Sequence, residues 1–239
     1  MSNTIRLKDK TEVAEGTMAY YFERPTGFQF EAGQFVNLTL INPSETDEEG
    51  NRRSFTIASA PYEDDLMIAT RMRDTAFKRV LKNFAAGSEI QMEGPFGGLT
   101  LHEDGSRPAV FLTGGIGITP FRSIALQSTQ ERLPHRLWMF YSNRRPEDAA
   151  FLDQLTKLQT ENPNFKLIAT MTNVADSLKP WKGETGYIDK QMLSKYIGEL
   201  AGPIYYVAGP PAMVDGMTKL LSDAGLKATD IRSEEFFGY

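Results

Sequence analysis

The feature that most limits the fold is a run near the middle of the chain. Ala109-Val110-Phe111-Leu112-Thr113 is apolar without a break until its threonine, as a strand covered on both faces should be. It enters Gly114-Gly115-Ile116-Gly117-Ile118-Thr119-Pro120, then a helical stretch from Phe121 to Leu126, with Pro120 suited to a helix's first turn. A strand, a glycine turn and a helix start together make a place for a dinucleotide pyrophosphate, because free backbone N–H groups there point at an anion. Gly115 and Gly117 give a G-x-G pair with no third glycine at the usual interval, so the turn draws its meaning from what surrounds it.

What surrounds it alternates. Residues 136–141, 165–170 and 204–208 read as strands, and residues 148–158, 192–200 and 212–224 as helices. That order predicts an open parallel sheet with ligands at the carboxyl ends of its strands. Those ends carry Gly114 to Thr119, residues 142–145, residues 170–172, and Gly209-Pro210-Pro211 with the residues after it. Asn143, Arg144 and Arg145 fall where the adenosine ribose of a dinucleotide lies. An acid there favours a free 2′-hydroxyl and arginines accept a 2′-phosphate, so the pair leans toward NADPH.

Before residues 103–108 the texture differs, which predicts one domain over 1–104 and another over 108–239. Short β-branched and aromatic runs at 17–22, 34–40, 53–59, 66–71 and 89–93 are separated by glycine and proline turns. They suggest a small antiparallel barrel. One helix interrupts them: Phe77, Val80, Leu81 and Phe84 share a face, with Asp74 or Thr75 as N-cap. Its start follows Arg71-Met72-Arg73 and could hold an anion, or simply cap itself.

Arg53-Ser54-Phe55-Thr56-Ile57-Ala58-Ser59 places Arg53 and Phe55 on one face of a strand and Ser54 and Thr56 on the other. An arginine can fork onto a phosphate, an aromatic ring can cover a flat heterocycle, and a hydroxyl can reach a ring nitrogen. An ordinary strand would show the same residues. Gly94-Pro95-Phe96-Gly97-Gly98 permits close approach to something flat, or is a plain turn. The end, Glu235-Phe236-Phe237-Gly238-Tyr239, either docks as packing or covers a flat ligand.

Composition removes several chemistries. The chain of 239 residues has no cysteine, which excludes disulfides, thiolate nucleophiles and Cys-ligated zinc or iron–sulfur clusters within it. Net charge is −5 with no basic block, so a nucleic-acid partner is not expected. No apolar run spans a bilayer and the first residues lack a signal-peptide core, so a cytoplasmic protein is expected, without a membrane partner. His102 and His135 have no spaced partner and are expected at the surface.

Taken together, Arg53 to Ser59, Gly94-Pro95-Phe96-Gly97, Thr113 to Pro120, Gly209-Pro210-Pro211 and the aromatic end resemble the ferredoxin–NADP reductase superfamily, in its order and over nearly the whole chain. The resemblance implies a flavin-binding barrel followed by a pyridine-nucleotide domain. It implies that Arg53 binds the FAD pyrophosphate with help from Thr75 to Lys78, that Phe55 stacks on the flavin where the family usually has Tyr, and that Thr56 bonds near flavin N5. Ser54 belongs to the same motif, and Thr70 and Arg71 would lie along the flavin.

Gly114, Gly115, Gly117 and Thr119 would hold the phosphates of NADH or NADPH, with Asn143 and Arg144 near its ribose and Gly209 and Pro210 near its nicotinamide. Phe236 or Tyr239 would cover the other flavin face or the adenine. Ala208 stands where many members have Cys. The implied activity is a FAD-dependent NAD(P)H reductase passing electrons to a ferredoxin-like protein or a small-molecule acceptor. A flavin-binding relay or regulatory subunit, and a nucleotide-binding module without flavin, are the competing readings.

Overall fold

The computed structural model describes residues 2–236, arranged on two six-stranded sheets. The first sheet holds β1 (Ser2–Ala14), β2 (Thr17–Phe22), β3 (Phe35–Leu40), β4 (Arg52–Thr56), β5 (Leu66–Arg71) and β6 (Glu89–Phe96). Their order is β4-β3-β6-β1-β2-β5, and every pairing is antiparallel. The long β1 makes the sheet curl. Its first residues pair with β6, and the stretch from Leu7 to Ala14 turns to pair with β2, with register breaks after Leu7 and Glu12. Just past β4, the Ala58 N–H donates to the Met67 carbonyl of β5 at 2.7 Å, which brings the two ends of the sheet together.

Alternating residues fill the half-barrel: Leu38, Leu40, Phe55, Ile57, Ile68, Ile90 and Met92 point inward. Helix α1 (Ala76–Lys82) plugs it with Phe77 and Leu81, and Thr75 is its N-cap, accepting from Lys78 N–H.

The second sheet holds β7 (Ala109–Gly114), β8 (Leu137–Asn143), β9 (Phe165–Met171), β10 (Glu184–Thr185), β11 (Ile204–Gly209) and β12 (Ile231–Glu235). All pairs are parallel, in the order β10-β9-β8-β7-β11-β12. Helices α2 (Ile118–Gln130) and α3 (Leu152–Glu161) cover one face, and α4 (Lys190–Ile197) and α5 (Pro211–Asp223) the other. Both β7 and β11 are buried along their whole length, which accounts for their unbroken apolar sequences. The chain runs from β7 outward to β10, then returns to β11 on the opposite side. The strand order therefore switches between β7 and β11, where a crevice opens beyond the strand ends.

Three expectations are corrected. The helix expected from 148 starts at Leu152, because Phe151 holds a left-handed backbone (φ 61°) that helix residues do not adopt; Pro146–Asp148 is a separate short turn. Gly97 does approach something flat, but it is the Phe35 ring, 2.9 Å from where a Cβ would sit. His102 and His135 are buried, not on the surface. The Tyr206 hydroxyl accepts from the His102 backbone N–H at 2.9 Å and lies 2.8 Å from its Nδ1, and His135 Nε2 lies 2.8 Å from the His102 carbonyl.

These histidines fasten the connection between the sheets. A buried arginine fastens the sheets themselves. Arg122 on α2 donates to the Ala58 carbonyl (2.6 Å), to both Glu63 oxygens (3.0 and 3.2 Å) and to Gln154 (2.8 Å). Its neighbour Ser123 donates to the Ser59 carbonyl at 2.7 Å.

Two outcomes are expected. Arg122→Met leaves a carboxylate and a carbonyl unpaired at the seam and should cost about 3 kcal/mol in chemical denaturation. Burial, followed by the nearby charges of His135, Arg232 and Arg107, holds the His102 imidazole below its ordinary value despite its bond to the Arg107 carbonyl. The unfolded chain therefore takes up that proton first as pH falls, so stability is full above about pH 6.5 and declines below it. Melting temperature followed across that range should show the decline, and His102→Gln should flatten it.

Candidate functional site

The crevice at the switch point is a cleft of about 600 Å³. The barrel contributes Thr17, Arg71 and Arg73 to its wall, and the glycine turn contributes Gly114, Gly115 and Ile116. Asn143 and Arg144 come from the end of β8, and Pro210 and Met213 from the start of α5. Each glycine has a separate job. Gly115 has φ 54° and open space where a Cβ would be, so its backbone faces the cleft without obstruction. A Cβ on Gly117 would lie 2.4 Å from the Ala208 carbonyl oxygen, so only glycine lets the turn pack on β11. Pro210 precedes α5, whose first N–H groups have no side-chain cap.

Of the residues singled out from the sequence, the cleft gathers Arg71, Gly114, Gly115, Asn143, Arg144 and Pro210. The Asn143 side chain is buried, and its amide nitrogen has no partner among the described residues, as is also true of the Thr113 hydroxyl. The Tyr141 hydroxyl lies beside this amide, which at the cleft wall can donate to a ligand oxygen.

Other candidates serve the walls. The Thr119 hydroxyl donates to the Ile116 carbonyl at 3.0 Å, inside the turn. The Gly209 carbonyl accepts from Phe236 N–H at 2.9 Å, which ties the chain end to the glycine turn's neighbour. Phe236 packs near Ala58, Ala69 and Ile116 at the seam. Tyr239 lies outside the described residues.

On the barrel side the arrangement departs from expectation. Arg53 and Phe55 do share a face, yet Phe55 is buried in the barrel core, 5.7 Å from the Phe77 ring. Thr56 and Thr70 are buried, with the Thr70 hydroxyl donating to the Arg71 carbonyl at 3.4 Å. Ser54 is exposed on the opposite face and donates to Asn37 at 2.6 Å, so it takes no part in the cleft.

Arg53 already holds two carboxylates, those of Asp47 and Glu49. Burial pushes the Asp47 carboxyl up, but bonds from the Ala76 N–H and Arg53 outweigh it and hold it below the usual range. Burial also pulls the Lys78 ammonium down to about 8, reinforced by Arg73 and Arg53. Arg145, paired with Asp148 and Glu15, is engaged in holding β8's end against the barrel, whereas its neighbour Arg144 stands exposed on the cleft rim.

Sequence reasoning missed Thr17 and Tyr187, and it reached Met213 only as part of the strand end after Gly209. Tyr187 is exposed at the cleft edge, and Thr17 enters it from the barrel. No local pattern marks these residues, which tertiary structure alone brings to the cleft.

A family profile described as an oxidoreductase NAD-binding domain matches residues 111–219. Ferredoxin–NADP reductase B of Sorangium cellulosum is 31% identical over 209 residues, spanning 84% of this chain and 80% of that one. The chain belongs to the ferredoxin–NADP reductase superfamily. It is a member of a family of FAD-dependent NAD(P)H reductases. Reductase component 2 of terephthalate 1,2-dioxygenase from Comamonas is 26% identical over 98% of this chain and 68% of its own length. The phenol hydroxylase P5 protein of Acinetobacter pittii is 25% identical, and this chain spans 65% of it. The fold matches a ferredoxin NADP+ reductase from Neisseria gonorrhoeae solved with FAD and NADP, with a TM-score of 0.83 and 99% of each chain covered at 22% identity.

The residues present fit both cofactors. The open glycine turn and the unpaired Asn143 amide suit a nicotinamide dinucleotide, and Arg71 and Arg73 bring positive charge to the barrel wall. Gly117→Ala should push the turn away from Ala208 and weaken NAD(P)H binding about tenfold or more. Equilibrium titration with either nucleotide, alongside a melting curve, checks this.

Proposed function

We propose that this protein takes hydride from a reduced nicotinamide dinucleotide and delivers electrons to a separate acceptor, a small ferredoxin-like redox protein or an oxygenase component. The cleft carries the reading, because one wall comes from the half-barrel and the other from the glycine turn of the parallel sheet. FAD, when bound, supplies the chemistry: it accepts hydride at N5 and releases electrons to the acceptor. The chain's own part is to hold two rings at one seam and keep water out. No general acid is needed for the hydride step, so proximity is the main device.

In this reading the part over 1–104 binds FAD and that over 108–239 binds the nucleotide. Arg53, Thr75 and Lys78 serve the flavin phosphates, Phe55 and Thr56 border its ring, and Thr70 and Arg71 flank it. Gly114, Gly115 and Asn143 receive the nucleotide, with Gly117 and Thr119 shaping the turn. Gly209 and Pro210 border the nicotinamide beside Ala208, which leaves more room than the family's Cys. Phe236 shields the flavin's outer face.

Arg144 supports NADPH as the donor, since it is exposed on the cleft wall while Arg145 is held by Asp148 at the β8 end. The relatives named as oxygenase reductase components support an acceptor of that class.

The test is an anaerobic titration of the flavin-loaded protein with NADPH and with NADH, following the flavin absorption band. Bleaching is expected with both and at lower concentration with NADPH. A yellow protein that neither bleaches contradicts the reading. Arg144→Ala should raise the NADPH KM about tenfold and leave the NADH KM unchanged. Arg145→Ala should leave the NADPH-to-NADH ratio as it was.

A further inference from the structure

The arginine that the family resemblance assigns to the flavin pyrophosphate is already occupied, and by the chain itself. Arg53 Nη1 donates to the carbonyls of Glu49 (2.8 Å), Gly50 (3.0 Å) and Arg52 (2.8 Å). Its Nη2 lies 3.2 Å from Asp47 Oδ1 and 2.8 Å from Glu49 Oε2. The second Asp47 oxygen accepts from the Ala76 N–H at 3.0 Å. Both terminal nitrogens are therefore in use. The bonds made by Nη1 and Nη2 fill the end-on fork of this guanidinium, and a pyrophosphate approaching that edge competes with the carboxylates for it.

The competitor is a single strap, the connection 41–51 between β3 and β4. It carries Glu45, Asp47, Glu48 and Glu49 and no basic residue. Glu45 pairs with Arg79, 2.5 Å away, beside Asp74. The strap closes on itself through a bond from Gly50 N–H to the Asp47 carbonyl at 2.9 Å and one from Glu49 N–H to Asp47 Oδ1 at 3.1 Å. Its acids thus face Arg53 and Arg79, in a neighbourhood that also holds Arg73 and Lys78. Without an anion there, these cations would repel one another and the approach of β4 to α1 would loosen.

We propose that Asp47 and Glu49 are a displaceable internal stand-in for the flavin pyrophosphate, and that FAD enters by exchanging its phosphate oxygens for these carboxylates on Arg53. The proposal rests on the flavin reading above. The strap's carboxylates satisfy the cations of the cradle, and displacing them lowers the net affinity for FAD. The flavin is consequently held less tightly than an open arginine would hold it.

The test uses flavin-free full-length protein titrated with FAD and, separately, with riboflavin, which lacks the pyrophosphate, following flavin fluorescence. In Asp47→Asn/Glu49→Gln the amides keep the strap's hydrogen bonds but release the arginine's charge. The FAD Kd should fall about tenfold or more while the riboflavin Kd stays unchanged. In the native protein, FAD should also speed cleavage after Glu48 and Glu49 by a glutamate-specific protease, because the already exposed strap loses the bonds to Arg53 that hold it folded.

An FAD Kd that is unchanged or weaker in the double variant, a parallel change for riboflavin, or protection of the strap by FAD overturns the exchange and leaves the flavin reading standing. If native and variant proteins melt normally and bind neither flavin, the flavin reading itself fails, and the exchange with it.

Discussion

The architecture depends on one buried guanidinium. Arg122 is 4% exposed and sits on the first turns of the helix that follows the glycine turn. It reaches across to Ala58 and Glu63 of the half-barrel, and its plane lies 5.1 Å from the Phe151 ring, the residue whose unusual backbone delays α3. Burying a charge is unfavourable unless its donors are matched, and here the matches come from both halves of the molecule. The same helix thus shapes the glycine turn at its start and clamps the other domain along its first turns. Any shift of one sheet against the other would strand a charge in an apolar seam.

That constraint explains how two modest cores build one site. The half-barrel contributes Arg71 and Arg73 to the cleft, while the parallel sheet contributes an open glycine turn and an unpaired buried amide. Neither set alone surrounds a ligand. Hydride transfer between two flat rings asks for little chemistry from side chains and much from their relative placement. A seam fixed by a fork of hydrogen bonds supplies that placement. No described helix is long and apolar enough to cross a membrane.

Much of this was legible in the residues because the signals were local. The apolar runs of β7 and β11, the glycines between β7 and α2, and the Thr75 cap each have a cause within a few residues. The misses are long-range. β1 carries no strand signal of its own: Ile5 and Leu7 enter the core, and the charged stretch after Leu7 reads as loop until its two partners are known. β12 ends at Glu235 and carries Phe236 to Gly209, a placement no periodicity announces. His102 and His135 come within 4.9 Å of each other from separate halves, although each looks solitary in the chain. Arg53 reads from the sequence as open to a phosphate, and its engagement by Asp47 depends on the acidic connection folding back over it.

The central claim is that the seam sets the distance between nicotinamide and flavin. It is tested most directly by stopped-flow reduction of the FAD-loaded protein at saturating NADPH, native against Arg122→Lys. Lysine keeps the charge but cannot fork onto Ala58 and Glu63 together. The account predicts flavin reduction slowed about tenfold or more, with the Kd values for FAD and NADPH nearly unchanged. Reduction at the native rate in a folded Arg122→Lys protein would contradict it, and the geometry of transfer would have to be set elsewhere.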